Sequence, residues 1–499
     1  MNRKLSGILC VLAILFAQGA PAFGQEKVVP TDATNELKKE IQELRELIKE
    51  ERKAHEAQLK VMQKRLDGIS SEILKKDMLT KEAELKIEIE KSVAESQGSE
   101  TRNLLSSAGR ALQSLNPDIS VIIDTYYHNS DASDEIGDIT EGMAGFGHPH
   151  EHGHGHEHSV LEEGFNLRHL ELYFSGEVDP YFKAYAIAAV SEDDAEIEEA
   201  VIQTTCLPAG FQLQAGKFFS HFGRINQQHS HEWDFIDQPL IHNLTLGAHG
   251  LNEKGLQLSW LAPTPFHLLA GLEAYQGDNE LLFNHIGGDA LPDKDGPRLW
   301  VGWLKFSPDL PQEHGLQIGV FGSNGTHQEA HDGNSDGTND HWLDGRGTFW
   351  GVDFVYKYGP GLEHGMGDFT LQGEYLWRKK DLSVDKHELN PALVGEDRID
   401  KQDGYYIQAV YGLLPRWRAA LRLDQVGLTN KSEFPDGTSA SYDDSYRLAG
   451  MVDFSPTEFS LIRLQVNKGE YQLSDEDKDV WEIFAQVMIS LGTHGAHKF

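Results

Sequence analysis

Six histidines occupy every second position of one short stretch, residues 148–158. They are His148, His150, His152, His154, His156 and His158. Neutral imidazole is a common ligand for zinc, copper and nickel, and such a repeat on a flexible loop offers several interchangeable ligand sets. The stretch cannot form a core, so it predicts a loop that captures or senses a divalent metal: Zn²⁺, Ni²⁺, Cu²⁺ or Co²⁺. A solvated polar loop that binds no metal is the alternative.

A second group of metal-ligand residue types lies between residues 221 and 249. Its candidate ligands are His229, His231, Glu232 and Asp234. The two histidines with either carboxylate would form a nitrogen and oxygen site for zinc or a similar ion. The alternative is that Trp233, Phe235 and Pro239 pack this stretch against a wall and the histidines only form hydrogen bonds. Four lesser candidates, expected to be surface polar residues, are His327, His331, Asp332 and His341.

The sequence lacks the usual motifs of a hydrolase or a nucleotide-binding enzyme. It has no G-x-S-x-G elbow, no P-loop and no H-E-x-x-H motif on a predicted helix. Its two cysteines are Cys10, in the predicted signal peptide, and Cys206. A mature chain with one thiol cannot form an internal disulfide, a redox pair or a zinc–thiolate cluster. We therefore expect no catalytic activity and no required cofactor.

The elements that must position these histidines are predicted to be β-strands. From Ile119 to the end, about sixteen short segments alternate apolar and polar residues. In residues 416–424 one face contains Trp417, Ala419, Leu421 and Leu423, and the other contains Arg416, Arg418, Arg422 and Asp424. Strands of a transmembrane β-barrel present one such face to lipid and the other to the lumen. The pattern predicts an all-β transmembrane barrel of about 16 antiparallel strands.

Turns with proline alternate with longer polar stretches along the predicted barrel. The turns are at residues 178–180, 207–210, 262–265, 414–416 and 455–458. The longer stretches are residues 129–164, 222–253, 277–298, 322–347, 379–403 and 427–443. Proline ends a strand because it has no N–H for the ladder. Short turns are periplasmic and long loops extracellular in such barrels. Both histidine groups are therefore predicted to lie on the outer side.

The residues before the barrel predict a signal peptide and a coiled coil. Residues 1–24 have a basic start, a short apolar run and a small-residue exit, which is typical of a secretory signal peptide. Residues 25–98 are predicted to form an α-helical periplasmic coiled coil, and residues 99–117 a linker to the barrel at 118–499. Its a/d positions include Leu37, Ile41, Leu44 and Ile48. This favours self-association as a homotrimer, with a lone solvated helix as the alternative.

The negative charge belongs to the barrel region. Of the formal net charge of -35, residues 36–95 contribute almost nothing, because 15 acidic residues balance 14 basic ones. Residues 96–499 contain 62 acidic and 27 basic residues. Such a field attracts cations and repels anions, phosphate and nucleic acid among them. The alternative is that acidic loops keep the protein soluble and interact with divalent ions at the lipopolysaccharide surface.

Three stretches resemble a known group of proteins. They are His-Ser-His-Glu-Trp-Asp-Phe-Ile-Asp-Gln-Pro-Leu at 229–240, Gly-Leu-Gln-Leu-Ser-Trp-Leu-Ala-Pro-Thr-Pro-Phe at 255–266 and Gly-Thr-His-Gly-Ala-His-Lys-Phe at 492–499. They are similar to bacterial outer-membrane barrels often labelled zinc-regulated receptors. In architecture the chain is also similar to phosphate-selective porins with an N-terminal coiled coil. In porins of this size the third extracellular loop commonly folds into the lumen, and the group around His229 falls in the third such loop, after the fifth predicted strand. Phe499 resembles the C-terminal aromatic residue that the barrel-assembly machinery recognises.

These observations together predict an outer-membrane porin. We expect passive diffusion of small solutes with a bias to cations, and histidine-rich extracellular loops that bind Zn²⁺ or a similar divalent metal. The expected partners are outer-membrane lipid, lipopolysaccharide and other copies of the chain in a homotrimer. Two alternatives remain: a structural envelope tether, in which the barrel only anchors the coiled coil, and a porin for anions such as phosphate.

Overall fold

The structure of the protein is a computed structural model. It describes residues 118–132, 136–146, 163–191, 195–288, 291–332, 338–473 and 476–492. The predicted signal peptide, coiled coil and linker lie outside these ranges, as do the histidines of residues 148–158 and Phe499. Those assignments stay predictions.

Sixteen strands form a closed antiparallel barrel in the described part of the chain. Each pairs with its neighbours along the chain, and the first strand pairs with the last. The strands are β1 (Asp118–Ser130), β2 (Gly164–Asp179), β3 (Phe182–Val190), β4 (Ala195–Thr204), β5 (Phe211–Phe219), β6 (Asn252–Leu261), β7 (His267–Tyr275), β8 (Leu299–Ser307), β9 (His314–His331), β10 (His341–Tyr358), β11 (Phe369–His387), β12 (Asp397–Leu414), β13 (Trp417–Glu433), β14 (Ser439–Ser441), β15 (Ser445–Thr457), β16 (Ser460–Gln472) and β17 (Asp477–Gly492). The short β14 pairs with β13 and is not counted among the sixteen barrel strands, which are the other strands named. The predicted barrel is confirmed.

Within the described residues, helices occur only in the connections between strands. They are α1 (Ile136–Glu141), α2 (Leu240–Leu246) and four short 3₁₀ helices at Pro208–Gly210, Ser230–Glu232, Glu363–Gly365 and Pro391–Leu393. None of the helices in the ranges given above is long and apolar enough to cross a membrane.

The barrel is apolar outside and polar inside, as the alternation predicts. On β13, Leu421 is 49% exposed, whereas Arg422 and Asp424 are 2% and 0% exposed. On β17, Ile483 is exposed and Glu482 is buried. A soluble protein would bury the apolar face, so this arrangement is that of a barrel whose outer surface contacts lipid.

The two ends of the barrel differ. At the turn end lie both termini of the barrel and tight turns such as the one after β2, where Asp179 Oδ1 accepts the N–H groups of Tyr181 and Phe182 at 2.7 and 2.9 Å. At the loop end lie the longer connections, whose described residues include 136–146, 220–251 and 276–288. The predicted alternation of turns and loops is therefore correct in phase.

Several strands reach further than the sequence predicts. β9 continues to His331 and β10 begins at His341, so only residues 332–340 of the predicted stretch 322–347 form a connection. Likewise β11 continues to His387. The prediction was wrong because these strand ends are mostly polar, with only a few apolar residues such as Leu343 and Leu382, so the alternation is lost while the ladder hydrogen bonds continue. Pro456, predicted in a turn, lies in β15 at a register shift, where its missing N–H does not matter.

The loop-end connections fold inward and form an apolar core inside the barrel. Side chains from α1, α2 and the connection after β7 join wall residues in one cluster. Its members include Ile139, Phe222, Leu244, Leu282, Phe283 and Phe349. The contact is close, because a Cβ added at Gly347 of β10 would lie 1.9 Å from the Leu282 carbonyl oxygen. The part of the lumen nearest the loop end is therefore filled by these connections.

Candidate functional site within the lumen

Residues 220–251, here called the luminal segment, cross the interior of the barrel. Side chains of the wall bond to the backbone of this segment at many points. The Ile236 N–H donates to Gln465 at 2.8 Å, and the Leu240 N–H to Asp424 at 3.1 Å. Arg378 donates to the Leu244 carbonyl at 2.7 Å. A buried connection needs such partners because its backbone has no ladder of its own. The predicted entry of the third extracellular loop into the lumen is observed.

On one side the luminal segment faces an arginine wall, formed by Arg418, Arg422, Arg447 and Arg463 of β13, β15 and β16. Asp237 Oδ2 lies 2.8 Å from Arg422 Nη2 and 2.6 Å from Arg447 Nη1. Although burial opposes ionisation, the charges of Arg422 and Arg447 lower the pKa of Asp237 to about 2. Asp237 therefore anchors the segment as a buried carboxylate.

Two further residues attach the luminal segment to this wall. Asp234 Oδ1 accepts a hydrogen bond from Arg418 at 3.0 Å. The Phe235 ring lies under the Arg422 guanidinium, 4.6 Å from its carbon, and packs in an apolar cluster with Ala449 and others. Asp234, a predicted metal ligand, is thus committed to an arginine and lies apart from the histidines. The predicted packing of Phe235 against the wall is present as well.

Toward β2 and β4 the luminal segment presents His229 and His231 to carboxylates of the wall. His229 Nδ1 lies 3.1 Å from Glu198 Oε2, and its Nε2 lies 2.8 Å from Glu199 Oε1. His231 Nδ1 lies 3.0 Å from Glu171 Oε2, and the two rings stack at 5.7 Å. We call these five residues the luminal cluster.

Both ring nitrogens of His229 face a carboxylate oxygen, so each must carry a proton that it donates. Burial disfavours the charged ring, but the hydrogen bonds to Glu198 and Glu199 and the charge of Glu171 outweigh it and raise the pKa of His229 well above its usual value. In the absence of metal, His229 is therefore an imidazolium that neutralises part of the carboxylate charge.

The donor atoms of the luminal cluster fit a divalent metal. One ligand atom each from Glu171, Glu198 and His229 lie within 4.8 Å of one another. His169 Nε2 lies 3.8 Å from Glu171 Oε2, too far for a hydrogen bond. Mixed imidazole and carboxylate donors are a usual zinc ligand set. A metal would replace the proton of one ring nitrogen, since ligands must be deprotonated.

The structure brings together only part of the predicted site. His229 and His231 are neighbours. Glu232 is the last residue of the 3₁₀ helix Ser230–Glu232, which also contains His231. The carboxylates that meet the two histidines come instead from β2 and β4, which the sequence did not single out. The four lesser candidates were expected at the surface, which is wrong for His327 and His331, because these are 1% and 5% exposed.

Two β-bulges lie in the strands that supply the carboxylates, and one of them redirects Glu198. Opposite β3, the ladder of β4 passes from Glu199 to Ile197, so Glu198 is an extra residue. Opposite β1, the ladder of β2 skips Arg168 in the same way. A bulge redirects side chains that strict alternation would place on the other face. The adjacent acidic pair at Glu198 and Glu199 was the signal available in the sequence.

Comparisons with known proteins gave one relative in sequence and several in structure. No family model matches the chain. A protein of Aquifex aeolicus (strain VF5), described as an uncharacterized protein, is 36% identical over 404 residues, which cover 77% of this chain and 80% of that protein.

Solved structures of outer-membrane proteins are similar at lower identity. The trimer form of OmpT, an outer membrane protein of Vibrio cholerae, is 11% identical with a TM-score of 0.46, over 75% of this chain and 99% of that one. An anion-selective porin from Comamonas acidovorans is 9% identical with a TM-score of 0.45, over 75% and 99%. The outer membrane channel DcaP of Acinetobacter baumannii is 11% identical with a TM-score of 0.44, over 75% and 96%.

Proposed function

We propose that this chain, which belongs to the same family as the Aquifex aeolicus protein, is an outer-membrane porin for passive diffusion of small solutes. The observation that carries the proposal is the inverted polarity of the closed barrel. Exposed apolar residues such as Leu421 form its outer surface, and buried charges such as Asp424 line its interior. The apolar outer face contacts lipid, and the polar inner face contacts water or polar connections.

A bias to cations follows from the charges inside the barrel. Among the described residues, 14 buried side chains are acidic and eight are basic. The arginines of the arginine wall are paired with aspartates, whereas the ion-pair partners of Glu171, Glu198 and Glu199 among the described residues are imidazoles. An interior with excess negative charge raises the local concentration of cations.

The luminal segment narrows the path. A sixteen-stranded barrel is too wide for its wall side chains alone to fill. Here residues 220–251 and the apolar core occupy part of that space, so solutes must pass beside the segment. This predicts a conductance below that of a barrel of the same size without such a segment.

Metal binding is the second part of the proposal. The luminal cluster offers imidazole and carboxylate donors, and the histidines of residues 148–158, predicted on the outer side, offer further ligands. This repeat would collect Zn²⁺ or a similar ion from solution, and the luminal cluster would hold it inside the barrel. Transport is then diffusion assisted by local binding.

Conductance in planar bilayers tests the porin. The full chain, purified and reconstituted, should form channels, and in a KCl gradient the sign of the reversal potential should indicate permeation by K⁺. Deletion of residues 148–158 should weaken the effect of added Zn²⁺ on the current without abolishing conductance. Anion selectivity unaffected by Zn²⁺ would reject the cation and metal proposals and favour a phosphate-type porin. A protein that inserts but never conducts would favour the structural tether.

The remaining partners are proposed on the sequence alone. Residues 25–98 would join three chains, lipopolysaccharide would surround the loop end, and the assembly machinery would recognise Phe499. Cross-linking of the full chain in membranes should yield trimers, and deletion of residues 25–98 should reduce their yield. Equal trimer yield from the deletion variant would show that the barrel, not the predicted coiled coil, directs assembly.

A further inference from the structure

Three histidines lie side by side on neighbouring strands at the loop end of the barrel. His341, the first residue of β10, is directly opposite His331 of β9 and His387 of β11. The ring centroids are 5.0 and 4.8 Å apart, with angles of 25° and 20° between the ring planes. We call these three residues the rim row.

A third bulge puts the rim row on one face of the sheet. Opposite β10, the ladder of β11 passes from Val384 to Lys386, so Asp385 is an extra residue. Without it, the alternation from the buried Val384 would turn His387 outward. Because directly paired residues share a face, the bulge places His387 on the same side as His341. This is the side of the buried Leu343, which is continuous with the lumen wall.

Carboxylates orient two of the rings so that each has a nitrogen with a free lone pair. Nδ1 of His341 donates to Asp340 Oδ1 at 2.7 Å, which leaves Nε2 as the acceptor nitrogen. Nε2 of His331 donates to Glu329 Oε2 at 3.0 Å, which leaves Nδ1. A carboxylate that holds one nitrogen of a histidine while the other binds metal is the usual arrangement around metal sites.

The third ring is held more weakly, and the donors are close enough to share an ion. The Asn390 N–H donates to Nδ1 of His387 at 3.2 Å, a long bond from a connection that the ring can exchange for another ligand. One ligand atom each from Asp340, His341 and His387 lie within 4.8 Å of one another. His331 lies on the other side of His341 from His387, so His341 and His387 are the two imidazoles that can share the ion.

We infer that the rim row binds one transition-metal ion between His341 and His387, with imidazole nitrogens of these two residues as ligands and Asp340 as the residue that positions His341. Imidazole donors favour Zn²⁺, Co²⁺, Ni²⁺ or Cu²⁺ over Mg²⁺ and Ca²⁺, which prefer oxygen donors. The nearby His327 is not part of the site, because its two nitrogens already bond to Asn284 and Glu329.

The position of the site indicates its role. On the outer surface, Trp350 of β10 stacks near Trp377, a pair typical of the membrane interface. His341 lies nine residues before Trp350, which is about 30 Å along a strand. The rim row therefore projects beyond the lipid, at the mouth of the lumen. A metal ion that enters from the loop end would reach this site before the luminal cluster. A bound ion would also connect the ends of neighbouring strands. The inference does not depend on whether the barrel conducts.

Absorption spectroscopy with Co²⁺ tests the site directly, since the visible bands report nitrogen coordination. The protein is the full chain in detergent with residues 148–158 deleted and with His229→Ala, which removes the other proposed ligands. We expect one Co²⁺ per chain, displaced by Zn²⁺. His341→Ala should abolish the bands, and His267→Ala, at the turn end of β7, should leave them unchanged. Migration of unheated samples in gels shows which variants are folded.

A second measurement guards against loss of fold. Zn²⁺ should raise the temperature at which the folded band disappears, and His387→Gln should remove that shift while the band without Zn²⁺ stays the same. Absence of Co²⁺ bands in the folded parent, or bands that persist in folded His341→Ala, would overturn the inference. In that case the rim row is a stack of rings that strengthens the strand ends.

Discussion

The luminal cluster and the rim row use the same residue types but are built differently. In the luminal cluster, two histidines arrive on an inserted connection and meet three carboxylates of the wall. In the rim row, three histidines come from adjacent strands, and the carboxylates only orient them. The first depends on the docking of residues 220–251; the second depends on strand register alone.

The two sites also differ in the charge of their ligands. The luminal cluster is an excess of carboxylates around an imidazolium, so it attracts any cation, and a metal must displace a proton. The rim row has no excess of acid among its ligands and offers nitrogen lone pairs, so it selects metals that prefer nitrogen. We expect weak, general cation binding within the lumen and tighter, more selective binding at the mouth.

The largest expected effect comes from detaching the luminal segment. Asp237→Ala removes the partner of Arg422 and Arg447, which are buried. The free energy of unfolding should fall by about 3 kcal/mol. This is the low end for a broken buried ion pair, because Asp424 also contacts both arginines. Urea unfolding in lipid vesicles measures it.

The same variant separates the two sites. Conductance should rise and Zn²⁺ binding to the luminal cluster should weaken, whereas Co²⁺ binding to the rim row should not change. Asp436→Ala, in the exposed part of the connection 434–444, is the matched control and should have no effect. If Asp237→Ala weakened both sites equally, the proposed independence of the rim row would be wrong.

His229→Ala should have the next largest effect, confined to the lumen. It removes the imidazolium between Glu198 and Glu199, which leaves the carboxylates without their counter-charge. We expect stronger cation selectivity and an affinity for Zn²⁺ in the lumen at least about tenfold lower, since a ligand is lost. Reversal potentials and Zn²⁺ titrations of the current measure the two effects, with His267→Ala as the control. A selectivity that moved toward anions would contradict the assigned charge of His229.

Asp340→Asn should have the smallest effect, confined to the mouth. The amide can still accept the hydrogen bond of His341 but lacks the charge that makes the ring a better ligand. Loss of such a positioning carboxylate lowers metal affinity by about tenfold or somewhat more. Co²⁺ titration measures the change, and Asp385→Asn, exposed on β11, is the control. Conductance should be the same in both variants, and an unchanged Co²⁺ affinity in Asp340→Asn would remove Asp340 from the site.

The barrel could be predicted from the sequence because lipid imposes one rule on every strand. Leu421 and Ile483 must face outward and Asp424 and Glu482 inward, so the period of two shows the fold and the faces. Beyond the lipid, the outer face of a strand need not be apolar. The polar strand ends around His331 and His341 resembled loops for this reason, and their pairing into a row could not be predicted.

Only two of the five residues of the luminal cluster, His229 and His231, could be predicted, because the others depend on how the segment docks and on a bulge. The composition of residues 229–234 suggested a metal site, but the direction of each side chain depended on how the segment docks. Asp234 turned to Arg418, and Glu198 and Glu199 came from a strand whose alternation a bulge interrupts. A single extra residue in a ladder is not visible in a sequence whose register is unknown.

The reversal potential of single channels in a KCl gradient tests the central claim most directly. The protein should lack residues 148–158 and contain His341→Ala, so that only the luminal cluster can bind metal. Before Zn²⁺ is added, the potential should indicate a preference for K⁺ over Cl⁻. Zn²⁺ added at the loop end should shift it toward zero, because the bound ion neutralises Glu171 and Glu198. A preference for Cl⁻, or a K⁺ preference that Zn²⁺ leaves unchanged, would contradict a cation-biased channel with a metal-binding cluster in its lumen.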